Sequence, residues 1–314
     1  MDTPTIRLRR RDALRLLAAV AGFAGCRRPA DAGGRQFAVS LQTMNNPFFV
    51  ELNDGLKAAV AARGDRLLTL DARHDSHKQR NDLSDALQQR PAALFLNPVN
   101  WEGVRGSLVE ARRAGVPVVV VDTPVGDAEL VLAQVASDNV AAGRLAAEAL
   151  GKVRPAAKVA ILHHSVAKSC IDRVAGFREA AAKFPKMTIL DTAEGKGTTE
   201  GARPVMVDLL GRFQELDAVF AINDPEAIGC ASAIEGTPGR AGRVAIVTVD
   251  GSAEGIAAVQ AGRLLGTVAQ SPGEIGRVAA GLAYDHLAGK TVAKDVKIPV
   301  KLITREAADG PRRA

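Results

Sequence analysis

Polar residues able to form directed hydrogen bonds follow several short apolar segments of this 314-residue chain. Carboxylates accept hydrogen bonds, Asn and Gln side chains both donate and accept them, and the Arg guanidinium donates in a fixed fork. Such a set suits an uncharged ligand that carries many hydroxyl groups. The polar candidates are Asn46, Asp122, Arg173, Asn223, Asp250 and Gln270.

Aromatic residues occur in two of the same loops. Phe48 and Phe49 follow Pro47, and the only tryptophan, Trp101, comes after the third apolar segment. Aromatic rings cover the C–H faces of sugar rings, so these three residues are candidate stacking surfaces. A structural alternative exists for each candidate, because Asp and Asn also cap helices and a Trp at a helix start also packs on its own domain.

Patterns typical of catalysis, metal binding or phosphate binding are weak in this sequence. His74, His77 and the pair 163–164 could contribute to a metal site, but no third group of ligands accompanies them. Residues 195–199 lack the spacing of a phosphate-binding loop, and no Gly-x-Ser-x-Gly motif supports a serine hydrolase. We therefore expect no catalytic residue, no metal and no cofactor, and hence no enzyme.

Short apolar segments alternate with longer amphipathic ones along the chain. Leu52 and Leu56 share one face of such a segment, while Val118–Val121 is apolar on both faces, as a buried parallel strand requires. This alternation predicts βαβ units in two doubly wound domains, whose ligands bind outside the carboxyl ends of the strands. The predicted strands are 37–42, 66–71, 92–97, 118–122, 130–136, 158–162, 187–191, 217–222 and 244–249, with a helix over 139–150.

Composition and charge exclude several classes of protein. Apolar residues make up 47% and charged residues 24%, which is ordinary for a globular protein. The net charge is +6, but residues 1–25 hold five Arg against two Asp, and the remainder has 36 basic and 33 acidic residues. A broad surface for nucleic acid is therefore not expected. Three cysteines exclude a disulfide scaffold, although whether Cys170 and Cys230 pair stays open.

The N-terminus has the pattern of an export signal over residues 1–25. Arginines precede the uncharged stretch 16–25, which is too short to span a bilayer permanently. Arg10 and Arg11 resemble a twin-arginine motif, although the general export route stays open. Residues 23–26 resemble a lipobox, which predicts cleavage before Cys26 and its lipidation. The alternative is an amphipathic helix with an incidental cysteine.

Several motifs together resemble the ribose-binding-protein type of periplasmic sugar-binding protein over about residues 36–303. They are residues 45–49, Ser137-Asp138-Asn139, Arg173 with Gly176-Phe177, Asn223-Asp224, Asp250-Gly251 and Gln270. The resemblance implies α/β domains joined by a three-crossing hinge near Ser137, Gln270 and Ile298. It also implies that Asn46, Phe48, Phe49, Asp122, Arg173, Asn223, Asp250 and Gln270 contact the sugar. Trp101 is not part of that pattern, and we expect it either to supply replacement stacking or to pack on its own domain.

The same resemblance implies a domain organisation and a cellular role. After the signal peptide and a tether over 26–35, the expected domains are residues 36–137 with 271–298 and residues 138–270 with 299–314. The expected function is that of a monomeric substrate-binding lipoprotein of an ABC importer. It would lie in the periplasm or at the cell surface, anchored to the membrane by lipid, and would capture a monosaccharide or polyol by hinge closure.

Departures from the family pattern bear on the choice of sugar. Thr123 stands where the ribose-type pocket has Arg, Val249 stands where it has Phe, and no aromatic residue occurs near Gly197. Two stacking surfaces and one cation are therefore missing. We expect ribose to be a poorer ligand than the cognate sugar.

Two other functions use the same fold. A sugar-sensing receptor lipoprotein for chemotaxis or signalling would have the same cleft residues and would differ in its docking surface. The core of a lac-repressor-type regulator would need a DNA-binding helix pair before the first domain. Residues 1–35 contain an apolar segment and a tether instead, which disfavours this last alternative.

Overall fold

The computed structural model describes residues 34–308, and the predictions for the signal segment, for Cys26 and for residues 309–314 lie outside the described residues. The strands are β1 Gln36–Leu41, β2 Arg66–Asp71, β3 Leu94–Leu96, β4 Val118–Val121, β5 Ala133–Ser137, β6 Lys158–His163, β7 Thr188–Glu194, β8 Ala218–Ala221, β9 Ala245–Asp250, β10 Gly266–Ala269, β11 Asp295–Ile298 and β12 Lys301–Thr304.

Helices connect these strands. They are α1 Pro47–Ala61, α2 Ser76–Gln88, α3 Arg105–Arg113, α4 Asn139–Val153, α5 Lys168–Ala181, α6 Thr199–Arg212, α7 Asp224–Glu235, α8 Ala253–Gln260, α9 Pro272–Leu287 and α10 Arg305–Ala308. None of the described helices combines the length and the apolarity needed to cross a bilayer.

The strands form two six-stranded sheets, with orders β11-β5-β4-β3-β1-β2 and β12-β10-β9-β8-β6-β7. All pairings are parallel except that of β12 with β10. All four residues of β4 are buried because helices cover both faces of the sheet. The prediction of two doubly wound parallel-sheet domains is confirmed. We call the unit built on the first sheet the first domain and the other the second domain.

The chain passes from one sheet to the other at three places. Residue Ser137 ends β5 of the first sheet, and α4 then packs against β9 and α5 of the second domain. After β10, helix α9 returns to pack on α1 of the first domain. Finally, β11 pairs with β5 in the first sheet and β12 pairs with β10 in the second. The two domains are therefore joined by three neighbouring segments.

The strand predictions differ from the structure mainly at segment ends. The segment predicted as a strand from Leu130 begins with a 3-10 helix over Ala128–Leu130, and β5 starts only at Ala133. Strand β3 comprises only three residues. Such shifts are expected because the apolar pattern gives only the approximate position of a strand. The strand itself begins where the first hydrogen bond to the neighbouring strand forms.

Candidate functional site

A cavity of about 370 Å³ lies between the carboxyl ends of the two sheets. Loops of both domains line it. The lining includes eight of the nine predicted site residues, namely Asn46, Phe48, Phe49, Asp122, Arg173, Asn223, Asp250 and Gln270. The parallel topology explains this convergence, since the residues that follow each strand emerge at the same edge of its sheet.

The first turn of α1 supplies the aromatic side of the cavity. Pro47 occupies the first turn of the helix, and the Phe48 amide donates to Asn46 Oδ1 at 2.9 Å. The cap and the proline fix the turn, so both rings project toward the cavity and pack edge to face with centroids 5.3 Å apart. Each Phe is only 7% exposed. The rings thus form a preformed apolar surface.

Asp122 supplies a carboxylate from the end of β4. Its backbone has φ 65°, and its amide donates to Val135 O at 2.8 Å, which turns the chain sharply into the cavity. Oδ2 accepts from Asn97 Nδ2 and from Thr123 Oγ1, both at 3.0 Å. Burial raises the pKa of Asp122. None of the described residues donates a hydrogen bond to Oδ1, so this atom can accept one from a ligand hydroxyl.

Arg173 supplies a buried guanidinium from α5. Nε donates to Asn139 Oδ1 at 2.8 Å, and one terminal nitrogen donates to Ile222 O at 2.7 Å. The same nitrogen lies 3.7 Å from Asp250 Oδ1. These contacts hold the fork rigid, so its remaining N–H groups point in a fixed direction with little rotamer entropy left to lose on binding.

Asp250 and Gln270 form the edge of the cavity on the second domain, near the crossing that follows β10. Gln270 Nε2 donates to Asp250 Oδ1 at 2.7 Å, and the Asp224 amide donates to Oδ2 at 3.3 Å. Burial, followed by the nearby Asp224 carboxylate, raises the pKa of Asp250 to about 8. The Gln270 Oε1 atom is buried with no partner among the described residues. A ligand hydroxyl could satisfy it.

Asn223 connects the cavity to a glycine loop of the second domain. Its Oδ1 accepts from the Glu226 amide at 3.0 Å, capping α7, while Nδ2 donates to Gly197 O at 3.0 Å. The Gly197 amide in turn donates to Glu226 Oε1 at 2.8 Å. Glu226 is fully buried, and this burial raises its pKa to about 8. Glu226 supports the loop from beneath. The sequence does not reveal this role, because a carboxylate three residues after a helix cap is a common residue of the first helical turn.

Trp101 does not line the cavity, so the structure does not support its prediction as a stacking surface. It lies in the turn between β3 and α3, and its ring passes beside Gly126, where an added Cβ would lie 3.5 Å from the ring. The Trp101 amide donates to Val166 O of the second domain at 3.2 Å. The residue therefore contributes to contact between the domains rather than to the cavity surface.

The departures from the ribose-type pattern have local explanations. Thr123 is fully buried and bonds to neighbouring side chains instead of reaching into the cavity. Val249 is also fully buried, in the core of the second domain. Gly197 has φ +70° and leaves the nearest atom 3.6 Å from an added Cβ. The second-domain wall is consequently more open and less aromatic than the first-domain wall.

Two histidines that were weak candidates for a metal site also line the cavity. His74 follows β2 and His164 follows β6, and their rings meet edge to face with centroids 6.5 Å apart. His164 Nδ1 lies 3.0 Å from Glu194 Oε1. Within residues 34–308, no group of three His, Cys, Asp or Glu side chains is arranged to hold a metal.

The two cysteines of the second domain are buried and unpaired with each other. Burial raises the pKa of the Cys170 thiol to about 12, and it raises that of Cys230 as well. Both therefore stay as uncharged thiols at neutral pH and pack as small apolar side chains.

Comparison with known proteins agrees with this geometry. The sequence profile of the periplasmic binding protein domain matches residues 37–291. The chain is 34% identical to the ribose import binding protein of Bacillus subtilis over 288 residues, which cover 89% of this chain and 91% of that protein. Among solved structures, the periplasmic component of the arabinose ABC transporter of a Shewanella species, bound to L-arabinofuranose, is 29% identical with a TM-score of 0.81. That match covers 87% of this chain and 93% of the other.

A second solved structure gives the same result. An ABC transporter solute-binding protein from Agrobacterium vitis, bound to D-fucose, is 26% identical with a TM-score of 0.82. The match covers 88% of this chain and 97% of the other.

Proposed function

Because the chain belongs to the periplasmic binding protein family, we propose that it is the substrate-binding component of an ABC sugar importer. Its ligand is a monosaccharide or a related polyol held in the cavity between the domains. Delivery to a permease follows binding, and no chemical step takes place on the protein. We further propose that it works as a monomer in the periplasm or at the cell surface.

One observation carries this proposal: both domains contribute to a single cavity whose chemistry matches a neutral polyol. Phe48 and Phe49 provide an apolar wall, whereas carboxylates, amides and the Arg173 fork provide directed hydrogen bonds. Hydrogen bonds to charged groups contribute about 1.5–3 kcal/mol each, so three or four of them match the roughly −8 kcal/mol of micromolar binding.

Each cavity residue has a role in this proposal. Asp122 Oδ1 and Asp250 accept from ligand hydroxyls, Arg173 donates to ring or hydroxyl oxygens, and the aromatic pair stacks on one face of the sugar. Asn46, Asn223 and Gln270 complete the polar shell. The ribose-type pocket has a cation and two aromatic rings where this chain has Thr123, Val249 and the surroundings of Gly197. Because this chain lacks those side chains, we propose that ribose binds more weakly than the cognate sugar. A calorimetric panel of pentoses, hexoses and polyols measures this ranking.

Asp122→Asn tests the proposed site directly. The substitution preserves shape but replaces one carboxyl oxygen by an NH2 group that cannot accept a hydrogen bond, so we expect sugar affinity to fall by about 1–3 kcal/mol. Asp65→Asn is the matched control. Asp65 is also a buried carboxylate, but it bonds Tyr284 Oη and the Arg35 amide away from the cavity. Equal affinity of the Asp122→Asn and unmodified proteins would refute the proposed site.

A lipid anchor at Cys26 is the second part of the proposal. It rests on the apolar stretch 16–25 and on the small residues that precede the cysteine. Two or more acyl chains give stable anchoring, whereas one gives only marginal binding. Mass spectrometry of membrane-extracted protein should show a mature chain that begins at a lipidated Cys26. Recovery of an intact Met1 with an unmodified cysteine would contradict the anchor.

A further inference from the structure

Three loops of the first domain contact one short segment of the second domain, residues 164–169, which we call the seam segment. The His74 ring meets the His164 ring, the Trp101 amide donates to Val166 O at 3.2 Å, and the hydroxyls of Thr123 and Ser169 lie 2.9 Å apart. These loops follow β2, β3 and β4. The seam segment therefore reaches across the facing sheet from the end of β4 to the end of β2, past β3 and β1.

The hydroxyl contact is the most enclosed of the three. Thr123 is fully buried and Ser169 is 3% exposed, so water does not compete for this hydrogen bond in the observed arrangement. Thr123 Oγ1 also contacts Asp122 Oδ2 at 3.0 Å and Gln42 Nε2 at 3.4 Å. The network fixes the hydroxyl, so its bond to Ser169 is directed across the domain boundary.

Ser169 lies one turn before Arg173 on α5. The same helix thus carries a cavity donor and a direct contact to the other domain. Thr123, which stands where the ribose-type pocket has Arg, makes a bond between the domains instead.

We propose that the seam segment is a latch, in which Thr123 and Ser169 hold the two domains together independently of the sugar. The latch sets the fraction of ligand-free molecules that are closed. This inference rests on the proposed function, in which the sugar is taken up by closure. Because apparent affinity scales with the binding-competent fraction, the latch strengthens binding of every sugar by the same factor.

Trp101 provides the reporter for this latch, because it is the only tryptophan of the chain and lies at the seam. Acrylamide quenching of its fluorescence in ligand-free protein measures how often the seam opens. Thr123→Val and Ser169→Ala should each increase the quenching rate constant. The double variant should equal Thr123→Val, because that substitution already removes the bond that Ser169→Ala breaks.

The matched control is Thr69→Val. Thr69 Oγ1 bonds Asn53 Oδ1 at 2.8 Å inside the first domain, so the control loses a comparable hydroxyl bond without touching the seam. Its quenching and sugar affinity should match those of the unmodified protein. Thermal unfolding of each variant confirms that it is folded, and Ser169→Ala serves as the test if Thr123→Val does not fold.

Sugar affinity gives the second measurement. Ser169 also lines the cavity, so this measurement uses Thr123→Val, whose residue lies outside the lining. We expect the dissociation constants of all bound sugars to rise by about two- to tenfold in Thr123→Val. Unchanged dissociation constants would overturn the latch. Unchanged ligand-free quenching would also overturn it. If no sugar binds, the proposed function is refuted. The quenching of Trp101 in the single and double variants still tests the latch in that case.

Discussion

At the scale of single residues, the site concentrates buried carboxyl groups around one guanidinium. Asp122, Asp250 and Glu226 are all buried, and Arg173 is the buried cation among them. Burial raises the pKa of Asp250 and of Glu226 to about 8, so neither is fully ionised at neutral pH. A protonated Glu226 lets the Gly195–Gly197 loop pack closely over it without an unpaired buried charge.

Stability should therefore depend on pH through Glu226. Below pH 4.5, its ordinary value, both folded and unfolded chains are protonated and the contribution is fully present. As pH rises toward about 8, only the unfolded chain ionises, so the free energy of unfolding falls by about 1.4 kcal/mol per pH unit for this group. Glu226→Gln should flatten the decline in urea unfolding between pH 5 and pH 8.

Glu215→Gln is the control for that experiment, because Glu215 is exposed. Its pH profile should match that of the unmodified protein. An equally steep decline in Glu226→Gln would show that Glu226 does not stay protonated in the folded state.

At the scale of secondary structure, α4 and α5 position Arg173 through an unusually close crossing. A Cβ added at Gly143 would lie 1.9 Å from Arg173 O, and one added at Gly176 would lie 2.0 Å from Val140 O. The two helices therefore touch by their backbones at two glycines. This approach lets Asn139, at the start of α4, accept a hydrogen bond from the Arg173 side chain.

Gly176→Ala should separate these helices. We expect a loss of about 1–3 kcal/mol in the free energy of unfolding from overpacking, together with weaker sugar binding because Arg173 moves. Gly211→Ala is the contrasting variant, since nothing lies within 4 Å of its added Cβ on α6. It should stabilise the protein by about 0.4–1 kcal/mol and leave binding unchanged. Similar unfolding midpoints for both variants would contradict this packing argument.

At the scale of the whole molecule, we propose that the three crossings act as a hinge about which one domain rotates against the other. The cavity residues divide between the domains, with Asn46 and Asp122 on the first and Arg173, Asn223 and Asp250 on the second. An open form would satisfy only part of a sugar's hydroxyls, so the sugar favours closure. We propose that the closed form is the shape that the permease recognises.

Saturating sugar should decrease the radius of gyration measured by small-angle scattering. The sugar shifts this population by its differential affinity for the closed form, which hydrogen bonds from the second domain, those of the Arg173 fork above all, supply. Asp122→Asn at the same sugar concentration should show a smaller decrease. An unchanged radius in a sample with confirmed binding would exclude closure.

The sequence alone determined the fold class and most of the cavity. Segments such as Val118–Val121 are apolar on both faces, which only a covered parallel sheet explains, and parallel sheets gather the residues after each strand at one edge. Asn223 and Asp250 could therefore be assigned to one edge of the second sheet and Asp122 to one edge of the first, and the family resemblance predicted that both edges contact one ligand. Their roles as ligand contacts, like the lipidation of Cys26, stay predictions.

Only the tertiary structure decided which loops of the two domains touch. Trp101 and Thr123 both follow first-domain strands, yet both contact the seam segment: Trp101 lies outside the cavity lining, and Thr123 is buried in a bond across the domain boundary. The raised pKa of Glu226 likewise results from burial beneath a loop about 30 residues away in the chain. Local periodicity specifies strands and helices, whereas these contacts depend on how three crossings orient two sheets, a relation that no local pattern encodes.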